Sequence, residues 1–332
     1  MKTVKAIVKL IKKILSRIKR FSLDIFYLAA QGIFRLMPMH NRVLFYTIRA
    51  QGKLLENSRC VFDNLDTEKK VLAYTLPHSF LVQLKMRYNL LTNKVIVTDD
   101  YVRYLRMFKL RKVQKVVQLW HACGAFKRFG LDAPSRLTKE EEKRTHSQYS
   151  AVCVSSEPCR EHYAHAFGIN VDAVLPIGVP RTDTLINPES RAKLRENMLS
   201  KHPLLKGKKI ILFCPTFREL NSKPAEYDPQ IDWGKLNSEL AEGEIFIIKK
   251  HPIMKEDYLK GKMVDKIVDL SDEPTSELLA AADLVITDYS SVIFDAAALG
   301  CPMLFYCPDF ESYDRDFYLK YPEDLPGPVV YK

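Results

Sequence analysis

The sequence is poor in glycine and lacks the two glycine-rich patterns that hold nucleotide phosphates in large groups of enzymes. It has 12 glycines in 332 residues, and neither G-x-x-x-x-G-K-[ST] nor G-x-G-x-x-G occurs. The first pattern cradles phosphates in P-loop enzymes, and the second marks dinucleotide-binding folds. The sequence therefore predicts neither a P-loop enzyme nor an ordinary dinucleotide-dependent dehydrogenase.

Paired cysteines and clustered metal ligands are also missing. The seven cysteines are odd in number, form no C-x-x-C pair and mostly lie in or beside apolar runs. Such a set supports neither a disulfide framework nor a zinc site, and it predicts the buried free thiols of a cytoplasmic protein. The acidic pairs Asp99 with Asp100 and Asp314 with Asp316 stand in no metal-binding context. We interpret them as surface acids and expect no metal or other cofactor.

No apolar run reaches the roughly 18 to 20 residues needed to cross a bilayer. Residues 1–20 instead carry eight Lys or Arg and no acid, and removing them leaves 51 − 8 = 43 basic against 40 acidic residues. The positive charge is therefore a property of this segment. This argues against nucleic acid as a partner of the folded body.

Apolar residues in this basic segment recur at steps of three and four, which predicts an amphipathic helix. A basic amphipathic helix binds anionic membrane surfaces, and each Lys or Arg near the surface contributes roughly 1 kcal/mol. The alternative is a solvated helix docked on the protein's own body. Residues 23–37 are again apolar and helix-like and are predicted to extend the anchor.

After the anchor, short apolar runs alternate with helix-like segments. With 47% hydrophobic residues the chain can bury a large core, and its length predicts two domains. The alternation predicts the α/β class, with parallel sheets and helices on both faces. We expect membrane-surface helices over 1–39, a first domain over 40–180 and a second over 181–332, with 178–190 as the linker. The chain ends on LPGPVVYK without a closing helix, which favours further residues beyond it.

Polar side chains follow several predicted strands, at the edge where ligands bind in open parallel sheets. A solvated loop could carry any one of these residues, but together they favour a functional site. The residues at the strand ends are His121, Thr216, Arg218, Lys249, Lys250, His251, Asp288, Ser290 and Ser291.

The residue types at these strand ends suit a diphosphate. Arg218 offers a two-pronged fork for phosphate oxygens, and His251 beside two lysines can stabilise charge on a leaving oxygen. Ser290 or Ser291 is predicted as the N-cap of the following helix, whose first N–H groups attract anions. Simple helix capping is the alternative reading of that turn.

The segments QLWHACGAFKRFG, CPTFRE, KKHP and TDYSSVIFD, in that order, resemble the CDP-glycerol glycerophosphotransferases of teichoic acid synthesis. The resemblance covers roughly residues 40–332. It implies a GT-B-like fold, in which two Rossmann-like domains face each other across a cleft and the second binds most of the donor. It also implies that Asp295, in DAAALGCP, holds the nucleotide ribose; an exposed helix acid is the alternative. The family commonly has Gly-Thr-Pro where this chain has Ala122, Cys123 and Gly124, so the donor and acceptor are left open.

The resemblance implies transfer of glycerol phosphate from CDP-glycerol to a hydroxyl of a polyprenyl-diphosphate-linked precursor, with CMP leaving. The imidazole of His121, with an ordinary pKa of about 6.5, is predicted to be the general base. His251, Arg218 and the serine turn are predicted to stabilise the leaving CMP. Lys127 and Arg128 are expected to meet the acceptor diphosphate, with a solvated basic loop as the alternative.

Three other functions stay open at this stage. The donor could be CDP-ribitol, or a nucleotide sugar if the protein is a GT-B hexosyltransferase. The third is a non-catalytic protein that binds membranes or nucleic acid. The predicted location is the cytoplasmic face of a bacterial cell membrane.

Overall fold

The computed structural model describes residues 21–47, 53–54, 56–73, 79–107, 109–134, 137–220 and 223–332. The predicted basic helix over 1–20 lies outside these residues. The described chain divides into two compact units. The first contains the described parts of Met1–His121, Arg136–Cys153 and Phe167–Leu175, and the second contains those of Ala122–Ser135, Val154–Ala166 and Pro176–Lys332.

The first unit is built on a six-stranded parallel sheet, as the alternating pattern predicts. Its spatial order is β2-β1-β3-β4-β5-β6, so the order reverses between β1 and β3. Buried apolar residues of β1, β3, β4 and β5 supply its core. The strands are β1 His40–Thr47, β2 Lys69–Ala73, β3 Asn93–Thr98, β4 Lys115–Gln118, β5 Ala151–Cys153 and β6 Val174–Leu175.

The helices of the first unit begin where the sequence supplies caps. Thr138 caps α4 through a reciprocal pair of hydrogen bonds with Glu141, and Ser79 caps α3 by accepting from the Val82 N–H. The residues 21–36 form helix α1, which overlaps the segment 23–37 predicted to extend the anchor. The others are α2 Glu56–Asn64, α3 Phe80–Thr92, α4 Lys139–His146 and α5 Cys159–Phe167, of which α5 lies largely in the second unit.

The second unit holds another six-stranded parallel sheet, in the order β11-β10-β7-β12-β13-β14. Counted along the chain without the hairpin β8-β9, this is the order 3-2-1-4-5-6 of a Rossmann sheet. Its strands are β7 Lys209–Cys214, β8 Arg218–Leu220, β9 Lys223–Ala225, β10 Glu244–Ile248, β11 Ile267–Asp269, β12 Leu284–Thr287, β13 Met303–Tyr306 and β14 Val329–Val330.

Apolar residues from both faces of this second sheet are buried under its helices. Strand β10 is buried over its last four residues, all apolar, and β12 alternates between half-buried and buried residues. Apolar strands of this kind are expected in a sheet that is covered on both sides. The helices are α6 Thr182–Ile186, α7 Pro188–Lys201, α8 Trp233–Glu239, α9 Thr275–Ala281 and α10 Val292–Ala298. The α/β prediction with parallel sheets is confirmed.

The predicted linker over 178–190 is wrong, because this segment forms α6 and the start of α7. Its polar residues are cap residues: Asn187 accepts from the Ser190 N–H, and Pro188 occupies the first turn of α7. Leu185 in α6 is buried in the core of the second unit. The hairpin β8-β9 and the short strand β14 were not predicted from the sequence.

No helix of the described chain is long and apolar enough to cross a membrane. Arg87 of α3, which is almost fully buried, holds α1 in place: its guanidinium lies over the Tyr27 ring at 3.9 Å and near the Tyr104 ring at 5.3 Å. The Arg111 side chain also donates to the carbonyls of Phe34 and Met37 at the end of α1. One face of the described helix is therefore docked on the first unit.

Candidate active site of the second unit

The carboxyl ends of β7 and β12 lie side by side where the order of the second sheet reverses. Cys214 at the end of β7 pairs with Thr287 at the end of β12. Thr216 and Asp288 directly follow these strands. Ligands of open α/β sheets bind outside such a reversal point, so two of the predicted donor-binding residues lie where that rule expects them.

Asp288 fastens the two strand ends to each other. It is buried, and its Oδ1 accepts from the backbone N–H of Thr216 at 2.8 Å and of Tyr289 at 2.6 Å. Its Oδ2 accepts from Arg218 Nη2 at 2.9 Å. The carboxylate therefore shapes the site through the backbone that follows β7 and through Arg218.

Arg218 uses its fork on a carboxylate of its own unit. Nε and Nη2 donate to Asp309 at 2.5 and 2.9 Å, and the guanidinium lies 3.9 Å from the centre of the Tyr227 ring. Burial disfavours its charge, but the hydrogen bond to Asp309 and the charge of Asp288 outweigh this and raise the Arg218 pKa. A phosphate that used this fork would compete with Asp309.

Sequence reasoning missed Asp309, although a signal for it existed. Asp309 follows β13 by three residues, so the rule on strand ends that selected the other groups also applies to it. Its carboxylate accepts from Tyr289 Oη at 3.3 Å as well as from Arg218.

The serine turn after β12 caps its helix through one of its two hydroxyls. Ser291 occupies the N-cap position of α10, but its side chain forms no capping hydrogen bond. Ser290 Oγ accepts from the Val292 N–H at 3.3 Å. Both serines are half-buried at the carboxyl edge of the sheet.

His251 is the exposed member of the basic group after β10. Lys249 Nζ donates to the Ser271 carbonyl at 2.6 Å, and Lys250 Nζ forms an ion pair with Asp269 at 2.7 Å. The two lysines are therefore held by the end of β11 and by the loop that follows it. The His251 ring packs on Phe217 at 4.6 Å, and its Nδ1 accepts from the Ile253 N–H at 3.2 Å.

Asp295 of α10 is paired with a residue that sequence reasoning did not single out. Arg181 Nη2 donates to Asp295 Oδ2 at 2.8 Å, and Arg181 Nε to Oδ1 at 3.2 Å. Asp295 is buried, so it is not the exposed helix acid of the alternative reading. Arg181 lies in the supposed linker, and nothing in the pattern PRTD points to Asp295.

The loop after His121 belongs to the second unit. Lys127 pairs with Phe317 as an antiparallel bridge, Phe126 accepts from the Tyr318 N–H at 2.7 Å, and Arg128 donates to the Asp316 carbonyl at 2.9 Å. Lys127 Nζ lies 5.6 Å from the centre of the Tyr313 ring. Lys127 is therefore placed among residues of the second sheet's carboxyl edge, and Arg128 is exposed beside it.

His121 closes the first unit, beyond the end of β4. Trp120 has a positive φ of 55°, and its ring stacks on the imidazole at 4.4 Å. His121 Nδ1 lies 3.2 Å from the carbonyl oxygen of Asp99, which follows β3. Since the first sheet reverses between β1 and β3, the imidazole lies next to the ligand-binding edge of that sheet. Positive φ in a bulky residue is uncommon and concentrates at functional sites.

Of the two acidic pairs interpreted as surface acids, only Asp314 with Asp316 fits that interpretation. Asp314 and Asp316 are exposed, whereas Asp99 is buried beneath the loop of β4, which corrects its assignment as a surface acid. In the described part of the chain no group of three or more His, Cys, Asp or Glu side chains is placed to hold a metal ion.

The cysteines are free thiols, as predicted. Six are buried and Cys60 is half-buried. Burial and the charge of Asp295 raise the pKa of Cys123 to about 12, so this thiol is neutral at physiological pH.

Two parallel sheets of this kind, with charged and hydroxyl side chains gathered at the reversal point of the second, define a protein of the α/β class with a candidate ligand site at that edge. The chain belongs to the family described as CDP-glycerol:poly(glycerophosphate) glycerophosphotransferase, which it matches over residues 39–332. The family resemblance drawn from the motifs is thus confirmed.

Several curated relatives act in teichoic acid synthesis. A teichoic acid poly(ribitol-phosphate) polymerase of Bacillus spizizenii is 34% identical over 94% of this chain and 53% of its own length. A teichoic acid ribitol-phosphate primase of the same organism is 32% identical over 96% of this chain and 86% of its own. A teichoic acid glycerol-phosphate primase of Bacillus subtilis is 34% identical over 81% and 69%. The chain spans about half the length of the polymerase.

The fold is similar to that of the wall teichoic acid polymerase TagF. The TM-score is 0.72, at 21% identity, over 98% of this chain and 86% of that one. A TagF variant soaked with CDPG gives a TM-score of 0.73. At this identity the similarity establishes the fold.

Proposed function

We propose that this protein transfers an alditol phosphate from a CDP-alditol to a hydroxyl of a polyprenyl-diphosphate-linked teichoic acid precursor, releasing CMP. The observation that carries the proposal is the family match over 39–332. CDP-glycerol is the donor predicted from the motifs. CDP-ribitol is the second candidate, because two of the relatives named above are ribitol-phosphate enzymes.

The second unit supplies the donor site in this proposal. Ser290, Ser291 and the backbone N–H groups of their turn face the diphosphate, and His251 stabilises the charge on the departing CMP. Asp295 accepts hydrogen bonds from the ribose. Phosphoryl transfer depends mostly on positioning and charge stabilisation, so such a set can do the work.

Thr216, Arg218, Lys250 and Asp288, predicted to bind the donor, have a more indirect role. Each is tied to a neighbouring group by a hydrogen bond or ion pair. We assign Arg218 and Asp288 the task of holding the edges of β7 and β12 at a fixed separation. Lys250 holds the loop that carries His251.

His121 is the proposed general base, which takes the proton of the attacking hydroxyl. The carbonyl of Asp99 near its Nδ1 favours the tautomer with a proton on Nδ1, which leaves Nε2 to accept one. Arg128, exposed on the loop that follows, is proposed to meet the acceptor diphosphate.

Helix α1 supports the proposed position on an anionic membrane surface. Its outward side carries Phe21, Ile25, Leu28 and Leu36, all exposed. These residues recur at helical spacing, so they form one apolar stripe. An enzyme on the inner leaflet would reach a polyprenyl-linked acceptor by diffusion in two dimensions.

A donor screen tests the proposal. The protein would be incubated separately with CDP-glycerol, CDP-ribitol and UDP-sugars, each with a lipid-linked disaccharide, and the released nucleotide and the product length would be measured. We expect CMP from one of the two CDP-alditols. Nucleotide release from UDP-sugars alone would identify a hexosyltransferase, and release from no donor would favour a non-catalytic binding protein.

The variant His121→Ala tests the assignment of the base. We expect kcat to fall by about 10²- to 10⁴-fold, the usual contribution of a general base, while the Kd for the donor stays within a few-fold. His202→Ala is the matched control, because His202 contacts Glu273 and has no part in the proposed site. Unchanged turnover in His121→Ala would remove this residue from the mechanism.

A further inference from the structure

Lys127 is a half-buried lysine held in place by its backbone. The antiparallel bridge to Phe317 and the hydrogen bonds of Phe126 and Arg128 on either side fix its direction. The side chain extends towards Tyr313, with Arg218, Asp288, Glu219 and Arg315 as its charged neighbours. All of these residues belong to the second unit.

The charges around Lys127 are paired with one another. Arg218 is held by Asp288 and Asp309, and Arg315 lies 3.7 Å from Glu219. Among the described carboxylates, none forms an ion pair with Lys127 Nζ. An ammonium that is removed from water beside two guanidinium groups is costly unless an anion joins it.

These surroundings also change the acidity of the amine. Burial lowers the pKa of Lys127 to about 7, and the positive charges of Arg315 and Arg218 act in the same direction. Asp288 and Glu219 oppose this shift without cancelling it. At pH 8 most of the free protein therefore carries a neutral Lys127.

We propose that Lys127 binds the diphosphate of the donor and takes up a proton as it does so. This inference rests on the proposed function and changes one part of it, because the sequence favoured a contact between Lys127 and the acceptor. The donor diphosphate is the better partner, since Lys127 shares its surroundings with Asp288 and Arg218 at the reversal point of the second sheet. A bound diphosphate restores the ammonium, and the proton comes from the buffer.

The protonation state of Lys127 in the free protein determines how the donor affinity changes with pH. Below about pH 7 the free amine is already protonated, so donor binding takes up almost no proton. Above that pH each bound donor takes up close to one, and the affinity falls by up to about tenfold per pH unit. A CDP-alditol carries a diphosphate diester, which stays ionised throughout, so its own titration does not interfere.

Titration calorimetry of CDP-glycerol and CDP-ribitol, in buffers that differ in ionisation enthalpy, measures this uptake. For the wild type we expect close to one proton per donor at pH 8 and close to none at pH 6. Lys127→Arg keeps its charge, so it should bind within a few-fold of wild type without the uptake. Lys127→Met should weaken binding by about 10- to 100-fold. Lys235→Met, at a lysine that is 71% exposed, is the control and should match the wild type.

The outcomes separate this inference from the function on which it rests. Donor binding by the wild type without buffer dependence at pH 8 would overturn the role of Lys127, and so would an uptake that persists in Lys127→Arg. Failure of the folded wild type to bind either CDP-alditol would overturn the proposed function instead. Thermal unfolding without donor checks the variants: Lys127→Met removes a half-buried amine that has no ion-pair partner among the described residues, and it should keep or raise Tm. If Lys127→Arg does not fold, Lys127→Met, which has no amine to protonate, should bind without the uptake, and an uptake that persists in it would overturn the role of Lys127.

Discussion

Two buried carboxylates at the candidate donor site carry the same charge but have different partners. Asp288 accepts from two backbone N–H groups and from Arg218, so its bonds join strand ends. Asp295 is held by the fork of Arg181 on helix α10. A carboxylate with this pairing still has acceptor capacity, and the fork fixes its direction. We therefore regard Arg181 as a positioning residue for Asp295.

Binding of the donor ribose tests the roles of Asp295 and Arg181. Asp295→Asn should weaken binding of CDP-glycerol about tenfold or more, because hydrogen bonds to a charged group are worth roughly 1.5 to 3 kcal/mol. It should leave the affinity for an analogue without ribose hydroxyls nearly unchanged. Arg181→Met should likewise lower the affinity for CDP-glycerol more than the affinity for the analogue. Both affinities would be measured by calorimetry.

Equal losses for the natural donor and the analogue would argue against this reading. Such a result would mean that the ion pair supports the fold around α10 and does not touch the ribose. Asp288→Asn provides the contrast, since it should lower Tm without changing the preference between the two ligands.

At the scale of elements, the turn after β4 depends on the backbone of Gly124. Gly124 has a φ of +73°, which proline cannot adopt because its ring fixes φ near −65°. A Cβ at this position would lie 2.6 Å from the Phe294 ring. The Gly124 carbonyl accepts from Tyr163 Oη at 3.0 Å. The turn is therefore built around a glycine.

Gly124→Ala should destabilise the second unit by more than Gly207→Ala does. Both glycines have positive φ, which costs a side chain roughly 1 to 2 kcal/mol, but nothing lies within 4 Å of the Cβ position at Gly207. The difference in unfolding free energy, measured in urea, isolates the clash with Phe294. Equal losses would show that the Phe294 ring moves aside without cost.

At the scale of the whole molecule, helix α1 presents an exposed apolar stripe in the described part of the first unit. Ile25 is 54% exposed and Leu28 is 70% exposed, although the opposite side of the helix is fixed by Tyr27 and Arg87. Exposed apolar stripes mark interaction surfaces. The proposed occupant is the anionic membrane that would carry the acceptor.

The double variant Ile25→Glu with Leu28→Glu should bind anionic vesicles at least tenfold more weakly than wild type. Burial of one such side chain contributes roughly 1.5 to 3 kcal/mol, and the new charges are repelled by the lipid headgroups. Vesicle sedimentation measures the binding, and transfer to a soluble acceptor analogue should persist. Met263→Glu, at a side chain that is 99% exposed on the second unit, is the control. Unchanged sedimentation of the double variant would exclude α1 as an anchor.

The sequence by itself determined the class of the fold, the family and most of the strands. Buried parallel strands read as short apolar runs, and residues at their carboxyl ends are polar because a ligand edge needs them, so local patterns carried this information. The caps at Thr138 and Ser79 are local features of the same kind, since capping is a contact between neighbours in sequence.

Only the tertiary structure decided which side chains pair with which. Arg218 meets Asp309 across 91 residues and Arg181 meets Asp295 across 114, and no local pattern encodes such contacts. The predicted linker forms helices for the same reason. Leu185 is buried in a core built from distant parts of the chain, and this burial outweighs the polar residues beside it in the sequence. The tertiary structure also places Lys127 among charged residues of the second unit. A lysine's protonation depends on what surrounds it, and folding brings those surroundings together from separate parts of the chain.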